Sequence, residues 1–297
     1  MSKGLIVGVV DGEGRLLCSQ PYNEYQYGIR SRNILLYQRG NELIEILVNE
    51  LGKISYEDNK WILKQVLSED LWETASRLLG NIAEAVLVRR CKENPELNWK
   101  LFMLARRKKA WMSTAQGFTA IGTGLESTRK QYRERYSHGD MQRDIIWIDA
   151  SGQPALMNGS SYMSGIPAGI QVKVSKNGEQ YVVPDIINSR YEVPVVYFPL
   201  NNDYERVVNS IMKRCPSVFE LDGNNRNFNP SDDLVDIRAY DFDSFEEVKD
   251  YYPLVHDLLS GDLPIEQFME YSSNKSITAR CALMHTALGK IDSSIIV

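Results

Sequence analysis

Three polar side chains stand out because each sits inside or beside an apolar run. Asp144 opens Ile145–Ile146–Trp147–Ile148, while Gln171 and Lys173 interrupt Ala168–Gly169–Ile170–Gln171–Val172–Lys173–Val174–Ser175. Both runs read as strands. Residues two apart on a strand point to one face, so the Gln171 amide and the Lys173 amine are neighbours. Hydrolysing a phosphodiester requires charge neutralisation on the phosphate and a water made nucleophilic, and a magnesium ion held by hard oxygens supplies both. Asp144 offers a carboxylate, Gln171 a side-chain oxygen and Val172 a main-chain carbonyl on the same edge. The Lys173 ammonium can stabilise the charge that develops on the phosphoryl oxygens or position the attacking water.

Glutamine is neutral, so this pair of strands brings only one carboxylate to a divalent cation. Glu84 is the candidate for a second, as the only polar residue of Ile82–Ala83–Glu84–Ala85–Val86–Leu87–Val88. A helix apolar nearly all round is buried. A carboxylate inside it must be protonated, paired or metal-bound, because an uncompensated buried charge costs several kcal/mol. Pairing with an arginine such as Arg77, or a core hydrogen bond, is the alternative without a metal, and Gly80, one turn earlier, is expected to let the helix lie close to a sheet. An alternative assignment of the acid on the first strand makes Asp149, at its far end, the metal ligand.

These residues need strands and helices to hold them, and the chain has room for both. Its 297 residues suffice for one large domain or a core with appended helices, and 43% hydrophobic with 25% charged residues is ordinary globular composition. No run of about 18 apolar residues occurs. Met1–Ser2–Lys3–Gly4–Leu5 lacks a signal-peptide pattern, so a cytoplasmic protein without membrane contact is expected. The cysteines Cys18, Cys91, Cys215 and Cys281 form no CxxC pair, and the 3 histidines are dispersed. Neither a zinc site, a disulfide framework nor a histidine-based metal site is therefore expected.

Leu5–Val10 and Arg15–Ser19 flank Asp11–Gly12–Glu13–Gly14, a hairpin signal. Helical periodicity covers Arg30–Leu51, Asp58–Leu67, Asp70–Lys92, Leu97–Trp111 and Asp203–Arg214. Gly117–Gly124 reads as a loop or a helix break, and Val193–Phe198 as a buried strand beside the lysine strand. Ser244–Phe245–Glu246–Glu247 reads as a capping box opening a helix towards Leu259. The expected division is an N-terminal hairpin with helices over 1–68, a core over 69–215 and an acidic helical region over 216–297.

Charge is unevenly distributed. The overall charge is -5, but Arg89–Arg143 holds 13 Lys and Arg against 5 Asp and Glu, and the chain from Pro216 onwards holds 6 against 15. A basic segment just before the candidate site is where a phosphate-gripping surface is useful. Arg106, Arg107, Lys108 and Lys109 form one cluster. Arg129, Lys130, Arg133 and Arg135, interleaved with Tyr132 and Tyr136, form another whose aromatic rings could stack on bases. Solvated helix faces account for the same charges without any ligand.

The arrangement resembles the PD-(D/E)XK nuclease superfamily, in particular its Mrr-like restriction endonuclease branch, where glutamine commonly replaces the acid of the second element. Asp144 matches the aspartate of the first element, with Arg143 in place of proline. Gln171–Val172–Lys173 matches the second, 27 positions on, and Leu79–Gly80–Asn81–Ile82–Ala83–Glu84 is similar to the helix that carries a glutamate. The resemblance covers roughly residues 70 to 215. It implies a restriction-endonuclease-like mixed β-sheet flanked by helices in the α/β class, with added N- and C-terminal helical elements. It also implies DNA cleavage with Mg2+ or Mn2+ held by Asp144, Glu84 and Gln171, in restriction or anti-phage defence. A homo-oligomer that cuts two strands, or a partner protein of a defence system, fits the same class. The competing readings are an inactive nuclease fold acting as a nucleic-acid sensor or complex subunit, and an RNA-directed nuclease.

Overall fold

A computed structural model describes residues 5–10, 15–27, 30–65, 70–137, 140–158, 165–214, 217–219, 225–273, 280–285 and 291–296. It is a mixed α/β structure that divides into two compact units. One comprises residues 1–48, 53–71 and 250–297, and the other 49–52 and 72–249. The second unit continues past residue 215 as far as 249.

In the first unit the Leu5–Val10 strand is central, pairing antiparallel with Leu16–Pro21 on one side and Arg280–His285 on the other. Ile291–Ile296 completes a four-stranded sheet. The C-terminal region is therefore helical only in part: after the helices Phe242–Ser260 and Ile265–Ser273 it ends in two strands. The turn expected over 11–14 lies outside the described residues. Helix over Asp58–Leu67 is corrected to a hairpin, Ile54–Glu57 with Lys60–Leu63. Asp58 and Asn59 both have positive φ, 48° and 61°, which is the two-residue turn that right-twisted strands favour. Tyr56 and Trp61 stack across it, ring centroids 5.0 Å apart.

The second unit is built on a five-stranded mixed sheet whose spatial order follows the chain: Phe118–Gly122, Ile145–Asp149, Gly169–Ser175, Val195–Pro199, Leu234–Asp236. The first three run antiparallel and the last two join in parallel. Two short helices, Gly178–Tyr181 and Val183–Ile187, make the crossover to Val195–Pro199. Gly117–Gly124 is thus corrected from loop to mainly strand. Its Gly and Thr content weakens β-propensity, but pairing with the apolar Ile145–Asp149 strand decides the outcome.

Helix Leu71–Glu93 buries Leu78, Leu79, Ile82, Ala83, Val86 and Leu87. Its C-terminal arginines are tied down, Arg89 to Glu247 and Arg90 to Asp241. Helix Pro95–Arg106 starts at Asn94, which accepts hydrogen bonds from the Glu96 and Leu97 N–H groups at 3.0 and 3.1 Å. It stops five residues short of Trp111 because Arg107 turns left-handed, φ 50°, and its guanidinium binds Asp233 at 2.7 Å. Trp147 is fully buried, and its indole N–H donates to Asn98 Oδ1 at 2.8 Å. Phe102 packs edge-on against it. The capping box shifts by one turn: helix Phe242–Ser260 already contains Ser244, whose hydroxyl donates to Asp241 at 2.6 Å. No helix among the described residues is long and apolar enough to cross a membrane.

Candidate functional site

The pairing between the Ile145–Asp149 and Gly169–Ser175 strands ends at Ile145 opposite Ile170. Beyond that point the Asp144 side chain takes over the ladder. Its Oδ2 accepts the Val172 N–H at 2.7 Å and the Gln171 amide at 2.6 Å. The Asp144 backbone is fixed by its own N–H on Ile170 O, 3.0 Å, and by Thr123 N–H on its carbonyl, 2.8 Å. The sheet thus holds the Asp144 main chain, and Val172 and Gln171 hold its carboxylate. N–H and C=O of one residue point to the same side of a strand, so the Val172 carbonyl faces the same edge.

Gln171 is 9% exposed, and its Oε1 is buried without a hydrogen-bond partner among the described residues. The Gln171 N–H bonds Pro194 O on the other side, at 2.9 Å. A buried polar atom left unpaired costs about 1–3 kcal/mol, and here it lies beside a half-buried carboxylate. Glu84, 6% exposed, comes from helix Leu71–Glu93, and its Oε1 accepts Gly124 N–H at 3.3 Å. The close approach is made by Gly122, not Gly80. A Cβ on Gly122 would stand 2.4 Å from Glu84 Oε1, whereas one on Gly80 would meet nothing within 4 Å. Arg77 does not compensate Glu84, since it pairs with Glu73 one turn earlier at 2.5 Å.

Electrostatics sets these acids apart. Burial first, then the charges of Asp144 and Glu50, push the Glu84 carboxyl well above the usual range, against the Gly124 N–H. Asp144 is pushed up to about 6 by burial, although the Val172 N–H, Lys173 and Gln171 favour its charge. Both acids would be better accommodated with a cation beside them. Among the described residues no three His, Cys, Asp or Glu side chains gather into a metal site. The available set is two carboxyl groups, one orphaned amide oxygen and a main-chain carbonyl. All are hard oxygens of the kind magnesium and manganese take.

Lys173 shares the strand face of Gln171, and its charge is felt at Asp144. Its amine is also engaged: Nζ lies 2.9 Å from Asp185 Oδ2 and 4.9 Å from the centre of the Tyr191 ring. Burial opposes its charge, but Tyr191 and Asp185 outweigh that, and its pKa sits above the usual lysine value. Asp185, Tyr191 and Gln142 escaped sequence reasoning. A single acid within the apolar Val183–Ile187 segment was the available signal for Asp185. Asp149 is not part of this constellation. Its Oδ1 accepts Ser151 N–H, Ser151 hydroxyl and Gln153 N–H, closing the turn at the far end of its strand.

The basic clusters separate by burial. Arg107 binds Asp233, and Arg106 Nε donates to Leu156 O at 3.3 Å. Arg135 Nε donates to Gly152 O at 3.0 Å, and Arg129, itself exposed, pairs with Glu126 at 3.1 Å. Lys108, Lys109, Lys130 and Arg133 are exposed. Tyr132 packs on Ile121, Ile146 and Ile148, so its ring serves the core. Compared with known proteins, the chain matches no family model, no curated protein and no solved structure.

Proposed function

We propose that this protein is a phosphodiester hydrolase that cleaves DNA with Mg2+ or Mn2+. The observation that carries this reading is the orphaned Gln171 Oε1 lying beside the Asp144 carboxylate, on the strand face that also presents Lys173. Asp144, Glu84 and Gln171 would hold the ion, which when bound supplies charge neutralisation on the phosphate and a more acidic water. The chain's own contributions are distinct. The sheet edge fixes Asp144 through the Val172 N–H. Gln171 orients its oxygen by spending its N–H on Asp144. Lys173, held cationic, stabilises negative charge on the phosphoryl oxygens. The exposed Lys108, Lys109, Lys130 and Arg133 add non-specific affinity for the backbone. Restriction or phage defence, with a homo-oligomer or a defence partner protein, is the setting that the nuclease resemblance implies.

A second reading is a nuclease fold that binds nucleic acid without cutting it, favoured by the engagement of Lys173 with Asp185 at 2.9 Å. Plasmid DNA and RNA incubated with purified protein, in magnesium or in EDTA, separate the two. Metal-dependent nicking that falls at least about a hundredfold in Lys173→Ala supports hydrolysis. Binding with no cleavage in magnesium or manganese overturns it in favour of the second reading, and cleavage of RNA alone redirects the substrate.

A further inference from the structure

The two oxygens of Asp185 are held by two different cations. Lys173 Nζ lies 2.9 Å from Oδ2, Arg190 Nη1 lies 2.9 Å from Oδ1, and the Tyr191 hydroxyl donates to Oδ2 at 3.2 Å. Both cations also lie over the Tyr191 ring, at 4.9 and 5.5 Å from its centre. An ammonium, a guanidinium and a hydroxyl converging on paired oxygens are the donors that recognise a phosphate. Resting on the hydrolase reading above, the geometry points to a phosphate subsite for the nucleic-acid backbone, made by Lys173 and Arg190 and filled from within the chain by the Asp185 carboxylate, which the incoming phosphate displaces.

Three further features support this. Two cations meet the one Asp185 carboxylate, and the charge of Lys173 is also felt at Asp144. The mount is rigid on the cationic side: Gln142 donates its amide to Arg190 O at 2.9 Å and accepts Glu192 N–H at 3.0 Å, clasping the backbone on both sides of Tyr191. The cluster is also reachable from solvent, since the Arg190 side chain is 53% exposed while those of Lys173 and Asp185 are 25% and 14% exposed. Gln142 lies two residues before Asp144, so one short segment positions both the subsite and the candidate metal ligand. A singly charged phosphodiester replaces a singly charged carboxylate, and the local charge balance is kept.

The test is equilibrium binding of labelled duplex DNA in EDTA, where cleavage plays no part. Asp185→Asn is expected to bind about three- to tenfold tighter at low salt, with a salt slope steeper by roughly one phosphate contact. Adding Arg190→Gln should remove that gain. Arg190→Gln alone, a change on a half-exposed side chain, should weaken binding and make the slope shallower. Asp149→Asn makes the same charge change elsewhere and should alter affinity less than about twofold. Unchanged or weaker binding by Asp185→Asn, or an equal gain in Asp149→Asn, overturns the assignment. Thermal stability gives a second readout: inorganic phosphate should raise the melting temperature of Asp185→Asn above that in chloride at equal ionic strength, with less effect on the unsubstituted protein. Absence of that difference also overturns it. Single-stranded RNA run in parallel shows which backbone is preferred, and a response to inorganic phosphate alone, with neither nucleic acid gaining, removes the nucleic-acid assignment. A binding gain without cleavage in magnesium sinks the hydrolase reading and leaves the subsite, whereas cleavage without the gain sinks only the subsite.

Discussion

Gln171 donates its amide hydrogen to Asp144 Oδ2 at 2.6 Å and keeps its own Oε1 buried and unpaired. An acid at 171 would be a poor substitute in the absence of metal, since it would put a second negative charge against Asp144 and supply no donor. Glutamine lets the two side chains touch with a single charge between them. Gln171→Glu should therefore lower the melting temperature in EDTA above about pH 7, where both carboxyl groups tend to ionise. Magnesium should raise the melting temperature of that variant more than it raises that of the unsubstituted protein. Equal melting in EDTA, or no extra response to magnesium, counts against an oxygen-lined cation site.

The pH dependence has a definite sign. Asp144 titrates near about 6 in the folded chain instead of near 3.8, so its contribution to stability is fully present below about 3.8 and is lost as pH rises through about 6. The loss is roughly 3 kcal/mol in the absence of a cation. Asp144→Asn has no such titration, and its stability relative to the unsubstituted protein should rise between about pH 4 and pH 7. Glu84, shifted in the same direction, adds to the trend. Denaturant melts in EDTA across that range check it, and a pH-independent difference between the two proteins refutes the assignment of a raised Asp144.

At Gly122 the sheet edge leaves no room for a side chain beside Glu84. A methyl group there would meet Glu84 Oε1 at 2.4 Å and Leu125 carbons at 2.6 Å. Gly122→Ala should destabilise the protein by about 1–3 kcal/mol and displace the Glu84 carboxyl. Gly80→Ala, with open space around its Cβ, should be neutral or stabilising, by up to about 1 kcal/mol in a helix interior. Chemical denaturation of the two variants side by side makes the comparison. Equal effects would mean that the sheet edge gives way around Glu84.

How much of this was legible beforehand depended on the range of the interaction involved. The Ile145–Asp149 and Gly169–Ser175 strands and the buried helix around Glu84 follow from periodicity, because their burial is written into consecutive residues. The Asp58–Asn59 turn was also local, but its helix-like spacing of apolar residues masked the left-handed turn. The strand Phe118–Gly122 was hidden by composition, since pairing with Ile145–Asp149 and not its own propensity makes it a strand. The pairing of Arg280–His285 with Leu5–Val10 joins the two ends of the sequence and leaves no local trace. The same holds for Lys173 with Asp185 and for Gln142 with the turn at Tyr191, where partners lie beyond any periodic window.

Arg107 and its neighbours Lys108 and Lys109 look equivalent in the sequence, yet they should behave in opposite ways. Arg107 caps its helix in a left-handed conformation and binds the buried Asp233 at 2.7 Å, with a further contact to Glu192 O at 3.4 Å. Removing its guanidinium takes the cation from Asp233, which keeps the Asn229 N–H at 2.8 Å, so Arg107→Ala should cost about 1.5–3 kcal/mol of stability. Lys108 and Lys109 are exposed. Their joint replacement by alanine should leave the melting temperature nearly unchanged, while weakening DNA binding and making the salt dependence shallower by up to about two phosphate contacts. Denaturation and salt-titrated binding on both variants decide the matter. A stable Arg107→Ala, or a lysine pair whose loss leaves the salt slope unmoved, would reassign the cluster.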